Sequence, residues 1–119
     1  MDGYFVGGRD DYLMPWQGVY RAARQFRGRH SFVLSTSGHV QRILRPPRLG
    51  RTEHYARDDL PPDPAQWLAG AQRHDGSWRP HWAGWLAQRS GARIKARKAL
   101  GSAAYPPLCR APGEYVLAC

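Results

Sequence analysis

The chain has 119 residues, which is enough for one domain whose core buries roughly two thirds of the unfolded surface. Its formal net charge is +9, from 18 Lys+Arg against 9 Asp+Glu, a balance that attracts polyanions. Arginine supplies 16 of those cations, spread from Arg9 to Arg110. Because they form no single basic block and do not alternate with aromatic residues, the charge favours a solvated surface over a nucleic-acid groove.

Two cysteines, Cys109 and Cys119, lie within the last eleven residues and lack the spacing of a zinc site or of a disulfide framework. We therefore expect no metal, no cofactor and a reducing cytoplasm as the compartment. No charged and then apolar leader opens the chain, and no apolar run approaches the ~18 residues of a membrane span. The composition is therefore that of a soluble protein.

The first forty residues predict a strand, a helix and a second strand. The stretch "YFVGG" is aromatic, β-branched and then glycine-rich, as in a strand that runs into a turn. Pro15 suits the first turn of a helix, which we expect to end near Gly28. Residues at helical spacing mark its buried side: Trp16, Val19, Tyr20 and Ala23. The run "SFVLSTSG" then predicts a strand covered on both faces.

Strand, helix and strand within about thirty residues form a βαβ unit, whose two strands are parallel. Loops that follow parallel strands meet at one edge of the sheet, where open α/β sheets bind ligands. Asp11 follows the first strand and His39 the second, so we expect them to lie close together. A histidine held by a carboxylate is the general base of acyl transfer. Each residue also has a structural interpretation, the aspartate as a turn former or helix cap and the histidine as a packing residue.

The second half of the chain has a weaker pattern. Five prolines occur between Pro46 and Pro64, so residues 42–63 predict a surface loop. Pro64, with Asp63 as its cap, predicts a helix, and a further helix follows "HDGS" and ends at Gly91. The further helix carries an apolar stripe that predicts a packing surface rather than a ligand platform: Trp78, Trp82, Trp85 and Leu86.

The fold class that these elements predict is α/β: a βαβ unit with two parallel strands, followed by two or more helices and an irregular tail. We expect one body at residues 1–91 and a basic tail with Pro and Gly at residues 92–119. The remaining histidines are predicted in loops or helices as surface or packing residues: His30, His54, His74 and His81.

Five stretches, in order along the chain, resemble the C-terminal part of the poly(3-hydroxyalkanoate) synthases: "GGRDDYLMPW", "FVLSTSGHVQRILRPP", "QWLAGAQRHDGSW", "PHWAGWLAQRSG" and "APGEYV". Members of this family have the α/β-hydrolase fold and are acyltransferases that polymerise (R)-3-hydroxyacyl-CoA into polyester with release of CoA. The resemblance covers nearly the whole chain. It implies a C-terminal fragment of an α/β-hydrolase fold, with residues 1–91 as part of the catalytic domain.

The resemblance also assigns roles to the two loop residues. Asp11 matches the catalytic aspartate of a G-x-x-D-x-x-x-P-W loop, and His39 matches the catalytic histidine in S-G-H, the base that activates a cysteine thiol. In that fold the nucleophile precedes the acid and the base and lies in a strand-to-helix elbow. This sequence contains no such elbow, and Cys109 and Cys119 both follow His39. We therefore expect the nucleophile to be absent from this chain, and the chain to be inactive alone.

Four residues depart from the pattern that the resemblance implies. Tyr12 stands where the family usually has His, and Arg79 replaces a usual Trp. Arg42 and Arg45 lie in a segment that is usually more neutral. None of the four is expected to touch the acid and base directly.

The implied partners are (R)-3-hydroxyacyl-CoA, the growing polyester chain, and either the missing N-terminal part or another synthase subunit; nucleic acid and a membrane span are not expected. The implied location is the cytoplasm, at the surface of the polyester granule. Two other functions stay open. One is a non-catalytic binding module for polyester granules or for a synthase partner. The other is a fragment of another α/β-hydrolase, an esterase or a depolymerase, against which the matching stretches after residue 60 argue.

Overall fold

A computed structural model describes residues 1–49 and 52–118 of the chain. The chain divides into two compact units, Met1–Arg89 and Ser90–Cys119. The first unit contains a sheet with the strand order β1-β2-β3-β4. Its strands are β1 (Gly3–Gly8), β2 (His30–Ser35), β3 (Glu53–Arg57) and β4 (Gln72–Asp75), and its α-helices are α1 (Trp16–Gln25), α2 (Gln41–Leu44), α3 (Pro64–Gly70) and α4 (Arg79–Ala87).

The first three elements are a parallel strand pair and the helix that connects it. β1 and β2 pair in parallel along all six residues of each strand. α1 ends at Gln25, earlier than the predicted end near Gly28, because Phe26 already has extended backbone. The chain then turns into β2 through Gly28 at φ +121°, a conformation that favours glycine. The α/β class and the parallel pair are confirmed, and the loops that follow both strands open at one edge of the sheet.

The hydrophobic core lies between one face of the sheet and the helices α1 and α3. Trp67 of α3 is fully buried, with its ring centroid 4.9 Å from that of Phe32 and 5.7 Å from that of Tyr20. Aromatic pairs in such arrangements stabilise a core beyond the effect of burial alone. Three of the four residues predicted on the buried side of α1 belong to the core: Trp16, Tyr20 and Ala23. The other buried core residues are Phe32, Leu34 and Trp67.

α3 begins as the sequence predicts. Asp63 is its N-cap and accepts a hydrogen bond from the Ala65 N–H at 3.0 Å, and Pro64 occupies the first turn. The segment before the helix is held on the core, because the Tyr20 hydroxyl donates to the Pro61 carbonyl at 2.6 Å. The capped start therefore places Trp67 over the aromatic cluster.

The surface loop predicted for residues 42–63 is wrong, because this segment contains α2, a 3₁₀ helix at Pro47–Leu49 and β3. β3 pairs antiparallel with β2, and the stretch "QRHD", predicted between two helices, is β4 and pairs antiparallel with β3. Neither strand has an apolar run. Both form through hydrogen bonds to strands distant in sequence, which a local pattern does not encode. The described sheet therefore has four strands, where two were predicted.

The other face of the sheet packs against α4 and the residue before it. The ring centroid of Tyr4 lies 6.3 Å from that of Trp78 and 5.4 Å from that of Trp85. Trp82 remains 39% exposed. The helix ends at Ala87, before the predicted end at Gly91. Trp78 and Trp85 of the tryptophan stripe therefore pack on Tyr4 of β1, whereas Trp82 packs beside Trp78 and stays partly exposed.

Three of the remaining histidines lie in strands, contrary to the prediction: His30 in β2, His54 in β3 and His74 in β4. His54 is buried and stacks on His74 with ring centroids 5.0 Å apart. Its Nδ1 donates to the Gly76 carbonyl at 3.1 Å, because a carbonyl only accepts. Burial lowers the pKa of His54, the Gly76 hydrogen bond opposes this effect, and the nearby His74 and His81 add to the lowering.

The free energy of unfolding is expected to fall as the pH drops below about 6.5, the pKa of a histidine in an unfolded chain. Because the folded state lowers the pKa of His54, the unfolded chain binds more protons in this window. The contribution of neutral His54 to the free energy of unfolding is complete above about pH 6.5. It is lost as the pH falls toward the pKa of His54 in the folded state. Urea denaturation of the wild type and of His54→Asn measures the effect. The variant should have a shallower pH dependence, and an equal dependence in both proteins would contradict the prediction.

The second unit carries the basic segment that follows residue 91. Its four cationic side chains before residue 100 are exposed: Arg93, Lys95, Arg97 and Lys98. A 3₁₀ helix, Tyr115–Leu117, lies near its end. In the part of the chain that the structure describes, no helix has the length and the apolar composition that a bilayer crossing requires.

Candidate active site

The loop after β1 holds Asp11 in one orientation. The Asp11 N–H donates to the Gly8 carbonyl at 3.3 Å. Its Oδ1 accepts the N–H groups of Leu13 at 3.1 Å and Met14 at 2.9 Å, a side-chain turn that aspartate favours. The side chain of Asp11 is 0% exposed. The loop therefore buries the carboxylate and leaves its other oxygen, Oδ2, for a different partner.

The loop after β2 brings His39 to that second oxygen. β2 ends at Ser35, whose hydroxyl lies 2.9 Å from the hydroxyl of Ser37 inside the loop. His39 Nδ1 lies 2.8 Å from Asp11 Oδ2. The structure therefore brings together the two side chains that the parallel-strand argument predicts at one edge of the sheet.

The contact with Asp11 fixes the tautomer of the His39 ring. An ionised carboxylate only accepts hydrogen bonds, so Nδ1 carries the proton and Nε2 keeps its lone pair. The side chain of His39 is 38% exposed, in contrast to the buried carboxylate. A partly exposed imidazole oriented by a buried acid can take a proton at Nε2 from a group that lies against the ring.

Arg42 also contacts the acid, contrary to the sequence prediction that none of the four departures would do so. α2 follows the histidine loop directly, and the Arg42 N–H donates to the Gly38 carbonyl at 3.1 Å. This turn places Arg42 Nη1 3.0 Å from Asp11 Oδ2. The contact was missed because α2 lies in the segment that was predicted to be a loop.

The charge state of Asp11 follows from these neighbours. Burial acts to raise the pKa of Asp11 and is the largest single influence. The hydrogen bond from Met14, the hydrogen bond and charge of His39, and the charge of Arg42 act in the opposite direction. Together they outweigh burial, so the pKa of Asp11 lies below its ordinary value and the carboxylate is ionised at neutral pH.

Gly8 allows the two loops to approach each other. A Cβ at this position would lie 2.7 Å from the Ser37 carbonyl oxygen, 3.2 Å from Arg42 Cδ and 3.2 Å from Asp11 Cβ. The shortest of these contacts is with main chain, which cannot swing away as the end of a flexible side chain can. The last residue of β1 is therefore a glycine because the two loops pack closely there.

The other residues singled out from the sequence do not contact the pair in the described parts of the chain. Tyr12 is 85% exposed, and the Arg79 guanidinium lies 5.8 Å from the ring centroid of Trp78. Cys109 is exposed in the second unit, and Cys119 lies outside the described residues. Within residues 1–49 and 52–118, no group of three or more His, Cys, Asp or Glu side chains could hold a metal ion.

The fold and the site define an α/β protein with an Asp–His pair at one edge of two parallel strands. In a comparison with curated proteins, Poly(3-hydroxyalkanoate) polymerase 2 of Ectopseudomonas oleovorans is 44% identical over 117 residues, which is 98% of this chain and 21% of that protein. The polymerase subunit PhaC of Cupriavidus necator is 41% identical, over 97% of this chain and 20% of that protein. PhaC of Rhizobium meliloti is 33% identical, over 95% and 18%. A scan against models of protein families finds no match.

The chain therefore spans about a fifth of the length of the curated relatives it matches. The matches cover nearly all of this chain. In the polymerases, the matching segment lies in the C-terminal part of the sequence. The resemblance to the C-terminal part of the poly(3-hydroxyalkanoate) synthases is confirmed, and the chain is a homologue of that part.

Proposed function

We propose that the chain is the part of a poly(3-hydroxyalkanoate) synthase that carries the acid and the base of acyl transfer. The enzyme polymerises (R)-3-hydroxyacyl-CoA into polyester and releases CoA. The observation that carries the proposal is the 2.8 Å contact between His39 Nδ1 and Asp11 Oδ2. It occurs in a chain that aligns over 98% of its length with a polymerase.

The proposal includes an α/β-hydrolase fold for the complete protein. In that fold the acid precedes the base along the chain, as Asp11 precedes His39. β1 lies at the edge of the described sheet, and an unpaired edge is open to a further strand. Parallel strands of the complete protein would extend the sheet from this edge.

In this function His39 is the general base and Asp11 orients it. A cysteine thiol gives its proton to His39 Nε2, and the thiolate attacks the carbonyl carbon of the hydroxyacyl thioester. The bond between that carbon and the CoA sulfur then breaks, and CoA leaves with the proton from His39. His39 next accepts the proton of a 3-hydroxyl group as that oxygen attacks the enzyme-bound acyl group. The bond between the acyl carbon and the cysteine sulfur then breaks, and the cysteine takes the proton back from His39 as it leaves as a thiol. Asp11 stays ionised and stabilises the imidazolium formed in each step.

The nucleophilic thiol is proposed to come from the remaining part of the polymerase or from another subunit. The elbow motif of a nucleophile does not occur in this sequence, and Cys109 and Cys119 follow His39. The chain alone is then inactive. Among the other functions, an esterase or a depolymerase is less favoured because the relatives compared above are named as polymerases.

An exchange of segments tests the proposal. In polymerase 2 of Ectopseudomonas oleovorans, the segment that matches this chain is replaced by residues 1–119, which gives the segment-exchanged polymerase. Release of CoA thiol from (R)-3-hydroxyacyl-CoA is measured with a thiol reagent, with the same polymerase lacking the segment as the control. We expect release well above that control. A folded, soluble segment-exchanged polymerase that releases no more CoA than the control would refute the proposal.

A further inference from the structure

We propose that Arg42 is a positioning residue for the Asp11–His39 pair, and that Trp78 fixes Arg42 through its main chain. The catalytic consequence of this inference rests on the proposed function, whereas the interactions themselves do not. Neither residue belongs to the acid or the base. Arg42 acts by holding Asp11, and Trp78 acts by holding Arg42.

The side chain of Arg42 is largely buried, so its contact with Asp11 lies inside the protein and not on the surface. Its side chain is 12% exposed, and Nε and Nη1 are buried without a hydrogen-bond partner in the described parts of the chain. A buried guanidinium is costly unless a negative charge lies beside it. Asp11 Oδ2, 3.0 Å from Nη1, supplies that charge without the angles of a hydrogen bond. Arg42 and Asp11 therefore stabilise each other as an ion pair removed from water.

A second element holds Arg42 in this place. The indole N–H of Trp78 donates to the Arg42 carbonyl at 2.8 Å. Trp78 lies just before α4, and its ring packs with Tyr4 at 6.3 Å and with Trp82 at 6.2 Å between centroids. α2 has four residues, too few to hold a fixed position on its own hydrogen bonds. The indole ties this short helix to the face of the sheet that α4 covers.

The two carboxylate oxygens of Asp11 therefore contact different groups. Oδ1 accepts the main-chain N–H groups of its own loop, and Oδ2 lies between Arg42 Nη1 at 3.0 Å and His39 Nδ1 at 2.8 Å. A carboxylate held from both sides cannot rotate without losing several contacts. It stays an acceptor for Nδ1–H and keeps the His39 ring in one tautomer and one plane.

Loss of Arg42 is expected to act on the protonation of Asp11. Burial favours the neutral acid, and the cation opposes it, so Arg42 contributes to the lowered pKa of Asp11. A protonated Asp11 would donate a hydrogen bond, and the His39 tautomer with Nε2 unprotonated would lose its partner. The positioning role therefore has a spectroscopic signature that a general loss of packing does not have.

The test is a ¹³C NMR titration of the Asp11 carboxyl carbon in the full chain. We expect Arg42→Gln to shift the titration midpoint upward and Arg42→Lys, which keeps the charge, to shift it less. Arg45→Gln, one turn further along the same segment and without a described contact to Asp11, is the matched control and should leave the midpoint in place. An unshifted midpoint in a folded Arg42→Gln chain would overturn the inference.

The role of Trp78 is tested in the same titration. Trp78→Phe keeps an aromatic ring and removes the donor to the Arg42 carbonyl, so the midpoint should shift in the same direction as for Arg42→Gln. Trp82→Phe, which changes the neighbouring ring of the same stripe, should cause no shift. Equal midpoints in the Trp78 and Trp82 variants would contradict the link through α2. This pair also serves if Arg42→Gln does not fold.

These experiments distinguish a failure of the Arg42 proposal from a failure of the proposed function. A shifted Asp11 midpoint together with an inactive segment-exchanged polymerase would leave the role of Arg42 intact and remove the proposed function. An unshifted midpoint together with CoA release would do the reverse. In an active segment-exchanged polymerase, Arg42→Gln should displace the acid limb of the pH–rate profile toward higher pH, and Arg42→Lys should restore most of it.

Discussion

Replacing His39 by Ala lowers the rate of CoA release by about 10⁴-fold in the segment-exchanged polymerase, if His39 is the base that takes the thiol proton. The expected loss is this large because the members of an acid–base–nucleophile set act as a unit. His39 is partly exposed and its Nδ1 is committed to Asp11, so its removal takes away the proton acceptor without opening the buried core. The measurement is the initial rate of thiol appearance at saturating (R)-3-hydroxyacyl-CoA.

The control for this variant is a histidine elsewhere in the same fold. His74→Ala changes a β4 residue that stacks on His54 and does not contact Asp11 or His39 in the described residues. It should keep most of the rate. A His39→Ala polymerase within about tenfold of the unchanged segment-exchanged polymerase would show that the imidazole is not the base.

Replacing Trp67 by Ala lowers the free energy of unfolding by about 3–5 kcal/mol, which is a large share of the stability of a small domain. The side chain is 0% exposed, and its ring contacts those of Trp16, Tyr20 and Phe32. Alanine leaves a cavity at the junction of α1, α3 and the sheet. Urea denaturation followed by circular dichroism measures the change.

Two further variants separate the cavity from the loss of the indole N–H. Trp67 Nε1 is buried with no partner in the described parts of the chain, so Trp67→Phe removes an unsatisfied donor while it keeps most of the ring volume. It should cost much less than Trp67→Ala. Trp82→Ala, at a ring that is 39% exposed, should cost about 1 kcal/mol or less. Equal losses for Trp67→Ala and Trp82→Ala would contradict the assignment of the core.

The parallel pair and the meeting of its two loop residues could be predicted because their signals are local. Proline, helical spacing and the apolar run at Phe32 mark α1 and β2 within short windows. Because the two strands are parallel, the loops that follow them lie at the same edge of the sheet. Asp11 and His39 needed no further information to be placed at one edge.

β3 and β4 could not be predicted in the same way. Their sequences, "EHYAR" and "QRHD", have no apolar run, and the buried residue of β3 is the polar His54. The strands form by pairing with β2 and with each other across long separations in sequence. Such pairing is decided by the rest of the sheet and overrides local preference.

The contact between Arg42 and Asp11 was missed for a related reason. The sequence shows Arg42 as one of many scattered arginines, and only the turn that starts α2 directs it back to the acid. The anchor from Trp78 is 36 residues away in the sequence and depends on where α4 packs. In the sequence, the one signal for the contact between Arg42 and Asp11 was that Arg42 lies in a segment that is usually more neutral in the family.

The measurement that most directly tests the joint action of Asp11 and His39 is a double-mutant cycle on CoA release in the segment-exchanged polymerase. If the acid serves only by holding the base, Asp11→Asn and His39→Ala together should lose about as much rate as the more damaging single change. Losses that multiply, or an Asp11→Asn enzyme with an undiminished rate, would mean that the two side chains do not work as one catalytic unit.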